Sequence, residues 1–134
     1  MFLSAKTREA VTKTMYAYAS AYGRKDADGV AALLAPEVIG IGSESGEWVE
    51  GRDEYVSAIT REFAGCDDLS LEYGDLRIAA DGIIAWVATP FEMTVTAEGR
   101  VRHLNGVLTA VLMNTWDGWR FVQIHVSVPE GGEE

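Results

Sequence analysis

The feature that most constrains the fold is a change of period at Gly65. Before it, apolar residues recur at helical spacing; after it, the chain alternates with period two. In the first half, Val11, Met15, Tyr18 and Tyr22 are spaced 4-3-4. They form the inward face of a helix that Ser4 can cap and Gly23 can end. Asp26 or Asp28 can cap a short second helix through VAALL, stopped by Pro36. EVIGIGS and EWVEG predict a short hairpin around Ser45-Gly46. A third helix is expected from Arg52 to Ala64, with Tyr55, Ile59 and Phe63 at i+4 spacing. Past Gly65 come LSLEYGDLRIAA, GIIAWVATPFEMTVTA, RVRHLNGVLTAVLMNTW and WRFVQIHVSV, all β-type runs. ADG, AEG and WDG separate them and suit tight hairpins. Helices followed by an antiparallel meander make an α+β pattern, one sheet with helices on one face. Runs this long imply a sheet that curls.

The 134 residues are expected to form one domain over residues 1–129, with a disordered acidic tail at 130–134. The formal net charge is −10 and no Lys/Arg cluster occurs, which excludes nucleic acid and anionic membrane surfaces as expected partners. No apolar run approaches the ~18 residues of a membrane span, and the first ten residues lack a signal-type stretch. Cys66 is the single cysteine, so no internal disulfide can form; a reducing, cytoplasmic location is expected. Cys66 itself reads as a loop residue after a helix. The two histidines, His103 and His125, have no metal-ligand spacing, and no metal or cofactor is expected. GIGSESG, Gly40 to Gly46, has the wrong spacing for a phosphate loop and leads into EWVEG, not a helix. Glu44 stands where a nucleophile elbow would need serine.

The last β run poses a question of sides. One set is Trp119, Phe121, Gln123, His125 and Ser127; the other is Arg120, Val122, Ile124, Val126 and Val128. Neither set makes a freely solvated face. Polar groups in aromatic surroundings describe a small-molecule site, and equally the buried middle of a protein interface.

Three stretches carry a family resemblance: the first helix followed by GRKDADGVAALLAPEV, GEWVEGRDEYVSAI before the third helix, and TAVLMNTWDGWRFVQIHVSVP at the end. Over nearly its whole length the chain resembles SnoaL-like proteins of the nuclear-transport-factor-2-like superfamily. Its last stretch is also similar to the association domain of calcium/calmodulin-dependent kinase II. The resemblance implies a cone, a curved antiparallel sheet wrapped around the long N-terminal helix with two shorter helices and an internal apolar cavity. It also implies a homodimer formed through the outer face of the sheet. The superfamily holds isomerases, cyclases, dehydratases, epoxide hydrolases and proteins that only bind, so fold alone does not name a reaction.

Residue roles follow from the resemblance. Tyr18, eight residues before Asp26, resembles the oxyanion-hole tyrosine of ketosteroid isomerases. Carried forward without gaps, the isomerase's aspartate base falls on Gly42. Substitutes for the proton shuttle are Glu44, Glu92 and His103, with His125 beside Gln123 and Asn105 as a polar group in apolar surroundings. Tyr18, Glu92 and His125 are thus the catalytic candidates. In register with the kinase domain, Arg120, Val122, Ile124 and Val126 face the cavity with Ala110 and Leu112. Met15, Tyr18, Tyr22, Trp48, Tyr55 and Ile59 complete the expected lining. The kinase domain's pocket arginines fall on Ala110 and Val126, so an apolar cavity that does not favour anions is implied. Trp119, Phe121, Gln123 and His125 are assigned to the dimer face, an assignment that a bulge in the strand would swap. The expected function is a dimer that binds a small apolar molecule without a complete catalytic set. The alternative is a cofactor-independent lyase, isomerase or cyclase acting on an apolar carbonyl or polycyclic compound.

Overall fold

The computed structural model describes residues 3–44 and 47–129. Helix α1, Ala5–Gly23, starts where the Ser4 hydroxyl accepts the Thr7 amide at 3.0 Å. Gly23 is its last residue, and the chain reverses at Lys25, whose φ is 55°. The Lys25 ammonium donates to the carbonyls of Cys66 and Asp67, tying this corner to the far end of the third helix. Asp26 caps the short helix α2, Ala27–Ala31, through the Gly29 amide. The expected helix through VAALL stops early, because Leu34 already begins strand β1, Leu34–Ile41. Pro36 lies inside that strand, in the gap between Leu34 and Ile39 where pairing to the neighbouring strand is interrupted. A residue without an amide proton is tolerated at such a break. Strand β2, Trp48–Glu50, pairs antiparallel with β1; the turn predicted at Ser45-Gly46 lies outside the described residues, as does the 130–134 tail. Helix α3 spans Arg52–Ala64 and buries Tyr55, Ile59 and Phe63.

The second half is strand. The first predicted run divides at Gly74-Asp75 into β3, Asp68–Tyr73, and β4, Arg77–Asp81. Both pair with different ends of β5, Ile84–Ala97. Then follow β6, Arg100–Thr115, and β7, Gly118–Ser127. The β5–β6 turn carries positive φ at both Glu98 (52°) and Gly99 (76°), the geometry that matches the twist of a tight hairpin. The sheet runs β2-β1-β7-β6-β5-β3, with β4 beside β5. One pair departs from the antiparallel expectation: β1 lies parallel to β7, the last strand, to which the chain comes only after β2, α3 and the strands β3 to β6. The sheet and the N-terminal helix enclose one core between them.

Helix α1 packs on the concave side. Val11, Met15 and Tyr18 meet Leu112, Phe121 and Ile124 within one core, and the Tyr18 ring stands edge-on to Phe121 at 5.2 Å. Burying Phe121 contributes about 1.5–3 kcal/mol. Phe121 is only 1% exposed and Trp119 only 8%, so both belong to the chain's own core and not to an outer dimer face. The cause is a bulge in β7. Val111 pairs with Gln123 and Leu112 with Phe121, which leaves Val122 as the extra residue. Before Val122 the odd-numbered side chains face inward; after it Ile124 and Val126 do. The two alternating sets are thus each split between the faces.

Candidate functional site

Between α1, α3, the end of β1 and the concave side of the sheet lies a pocket of ≈ 790 Å³. The helices contribute Tyr18, Tyr22, Tyr55, Ile59 and Glu62. Strand alternation supplies the apolar wall: Phe91, Met93 and Val95 from β5, Leu104 and Leu108 from β6, Ile124 and Val126 from β7. Gly42, Ser43, Glu44, Glu47, Arg61, Cys66 and Arg102 also line it. A side chain at Gly40 would place its Cβ 2.7 Å from the Tyr55 ring, so a bare backbone at this position lets that ring lie where it does.

Two hydroxyl contacts bridge α1 and α3. The Tyr18 and Tyr55 hydroxyls stand 2.6 Å apart, deeply buried. One turn along α1, the Tyr22 hydroxyl donates to Glu62 Oε1. The Tyr18 and Tyr22 rings are 5.8 Å apart with planes 21° from parallel. Burial, and then the neighbouring phenols, push Tyr18 well above the ordinary tyrosine range, and burial does the same to Tyr55. Both therefore remain neutral donors. Tyr22 is raised by burial and then by the adjacent Glu62 charge. Glu62 as a residue is exposed, yet its carboxyl end turns in against Tyr22. Burial lifts its pKa, the Tyr22 bond opposes that, and the Glu47 charge adds to it. Burial also pushes up the Cys66 thiol, with Lys25 opposing.

The other sequence-derived residues fall elsewhere. Met15 and Leu112 are fully buried in the core, and Ala110 is buried beside them. Trp48 is 59% exposed on β2 and does not reach the pocket. Val122 sits at the bulge, and Arg120 donates to the Trp119 and Asp117 carbonyls near the β6–β7 turn. Glu92 is exposed on the outer side of β5, between Phe91 and Met93, which point into the pocket. His125 is exposed and Gln123 half-buried on that same outer side, opposite Thr109 and Val111. His103 pairs with Thr94 there, its Nδ1 3.2 Å from the threonine hydroxyl. Glu92 and His125 are thus separated from Tyr18 by the thickness of the sheet. Gly42 lines the pocket, as does Glu44, which is exposed.

Glu62 is the residue that sequence reasoning missed. Its signal was present: it lies seven positions after Tyr55, two turns along the same helix face. Among the described residues no three His, Cys, Asp or Glu side chains converge as a metal site, and no helix is long and apolar enough to cross a membrane.

Solved structures share this architecture. A candidate aromatic ring hydroxylase from Novosphingobium aromaticivorans superposes with a TM-score of 0.89 at 19% identity, over 95% of this chain and 92% of that one. A nuclear-transport-factor-2-like superfamily protein from Salmonella enterica serovar Typhimurium gives 0.87 at 18% identity, over 95% and 94%. A candidate scytalone dehydratase from Novosphingobium aromaticivorans gives 0.84 at 14% identity, over 91% and 83%. At these identities the likeness concerns the fold. No functionally curated protein matches the chain. The SnoaL-like domain family matches residues 11–131, nearly the full length, and the chain belongs to that family.

Proposed function

We propose that the pocket binds a small, mostly apolar molecule bearing a carbonyl or phenolic oxygen, held by Tyr18 and Tyr55. One observation carries this reading. Two neutral phenols share one short hydrogen bond in a pocket whose strand-side wall is apolar and whose rim carries Glu44, Glu47, Arg61, Glu62 and Arg102, and that bond uses only one of their two hydroxyl protons. The second proton can be given to a ligand oxygen. The volume suits a molecule of two to four fused rings, and a few convergent polar groups in apolar walls are what small-molecule sites display. The test is fluorescence titration with 2-naphthol. Tyr18→Phe and Tyr55→Phe should each weaken binding about three- to tenfold, the worth of one hydrogen bond. Unchanged affinity in both variants, or no binding of aromatic ketones and phenols at all, defeats the proposal.

A second reading, acid–base catalysis as a lyase, isomerase or cyclase without a cofactor, is favoured by the state of the phenols. Donors kept neutral by burial and fixed before the reaction are suited to an oxygen on which negative charge develops. One structural likeness is named as a candidate dehydratase, and a dehydratase is a lyase.

The chain is further proposed to act as a homodimer through the outer face of the sheet. Trp86 and Val107 are exposed there, 39% and 48%, beside Gln123 and His125. Trp119 and Phe121 take no part, being buried within the chain.

A further inference from the structure

The acid–base reading above lacks a proton-transfer group, and this inference rests on that reading. Glu92 and His125 lie on the wrong side of the sheet, and the position carried over from the isomerases is Gly42. Glu62 differs from these in place and in partner. It leaves α3 two turns after Tyr55, lines the pocket, and accepts the Tyr22 hydroxyl proton. Tyr22 stacks on Tyr18 at 5.8 Å, so the Tyr22–Glu62 contact and the Tyr18–Tyr55 pair stand next to each other along the same wall of the pocket.

We propose that Glu62 is the proton-transfer residue of this pocket, acting on a carbon beside the carbonyl whose oxygen Tyr18 and Tyr55 hold, with Tyr22 as its positioning residue. The carboxylate has in effect been supplied by α3 in place of β1. In the step, a Glu62 oxygen takes the proton as the C–H bond breaks. The freed electron pair forms a carbon–carbon double bond, and the carbonyl π pair moves onto the oxygen, which accepts the free hydroxyl proton of the phenol pair. Return of the proton from Glu62 to the same or a conjugated carbon restores the carbonyl. No oxidant, reductant or metal is needed for the balance. Among the described residues, the titratable groups that act on Glu62 include Tyr22 from α1, Glu47 before β2, and Tyr55 and Cys66 from α3 and its end; Glu44, Arg61 and Arg102 also line the pocket. Burial makes the carboxylate a stronger base than a solvated one.

The test uses the full chain with 1-tetralone in D₂O, following deuterium uptake beside the carbonyl by mass spectrometry. Displacement of 2-naphthol reports binding separately. Wild type should exchange faster than buffer, and Glu62→Gln should lose about 10²- to 10⁴-fold of that rate while 2-naphthol still binds. Glu62→Asp, which keeps the carboxylate but draws it back, should fall between them. Tyr22→Phe should move the pH midpoint of exchange upward, because it removes the bond that holds the Glu62 pKa down. A purely structural role for Tyr22 leaves that midpoint where it was. Glu62→Gln exchanging at the wild-type rate overturns the proposal. So does a wild-type protein that binds 1-tetralone without accelerating exchange. If neither compound binds, the binding reading itself has failed.

Discussion

A phenol buried beside another phenol keeps its proton, and removing either one leaves the survivor's hydroxyl without its partner. Tyr55→Phe should therefore cost about 1–3 kcal/mol in urea unfolding. Tyr18→Phe combined with Tyr55→Phe should cost less than the sum of the two singles, since no hydroxyl is then stranded. A strictly additive double variant would show that the 2.6 Å contact contributes nothing to stability. Glu62 makes a prediction in pH. Its pKa in the folded protein is raised, so the folded state holds a proton that the unfolded chain has already released. That contribution is complete below the ordinary carboxylate pKa and is lost as pH rises through the folded value. Stability measured from mildly acid to neutral pH should show a decline that Glu62→Gln lacks, and superimposable profiles would contradict this. Tyr18 and Tyr22 could be read from the sequence because helical spacing puts them on the apolar face of α1. Glu62 could not be singled out so directly. A glutamate between Arg61 and Phe63 looks like any solvated helix residue, and its distinguishing partner lies 40 residues earlier.

Elements were legible where local chemistry decides them. α1 and α3 follow the apolar spacing and their ends, and the hairpin turns fall where Gly is offered at positive φ. Two features escaped because distant strands settle them: the parallel partner of β1, and the bulge in β7. Nothing between Trp119 and Ser127 marks Val122 as the extra residue; it is extra only relative to β6. The bulge gives opposite expectations for two residues that simple alternation places on one face. Phe121→Ala should destabilise the folded chain by about 3–5 kcal/mol through a core cavity. His125→Ala, on the exposed side, should change the folded chain's own stability by no more than about 0.5 kcal/mol. Denaturant titration of the two variants decides it, and equal losses would mean that the bulge is misplaced.

At the scale of the whole molecule, the sheet's outer side bears on assembly. Light scattering should return twice the 14.6 kDa chain mass, and a monomer at micromolar concentration would remove the proposed interface. EDTA should leave the melting temperature unchanged; a large drop would reveal a bound metal that the sequence reading did not expect. The parallel β1–β7 pair has a consequence for how the fold is reached. Leu34 is paired with Phe121, and Gly40 with Ile124, so the middle of the sheet joins residues made early to residues made last. Contacts this remote in sequence are slow to form, because a long loop must close before they return any energy. On a ribosome, β1 has β2 as its one paired strand until β7, which begins at Gly118, emerges. A chain stopped short of Gly118 carries Tyr18, Tyr22, Tyr55 and Glu62, but lacks the strand that joins their side of the pocket to the rest of the sheet.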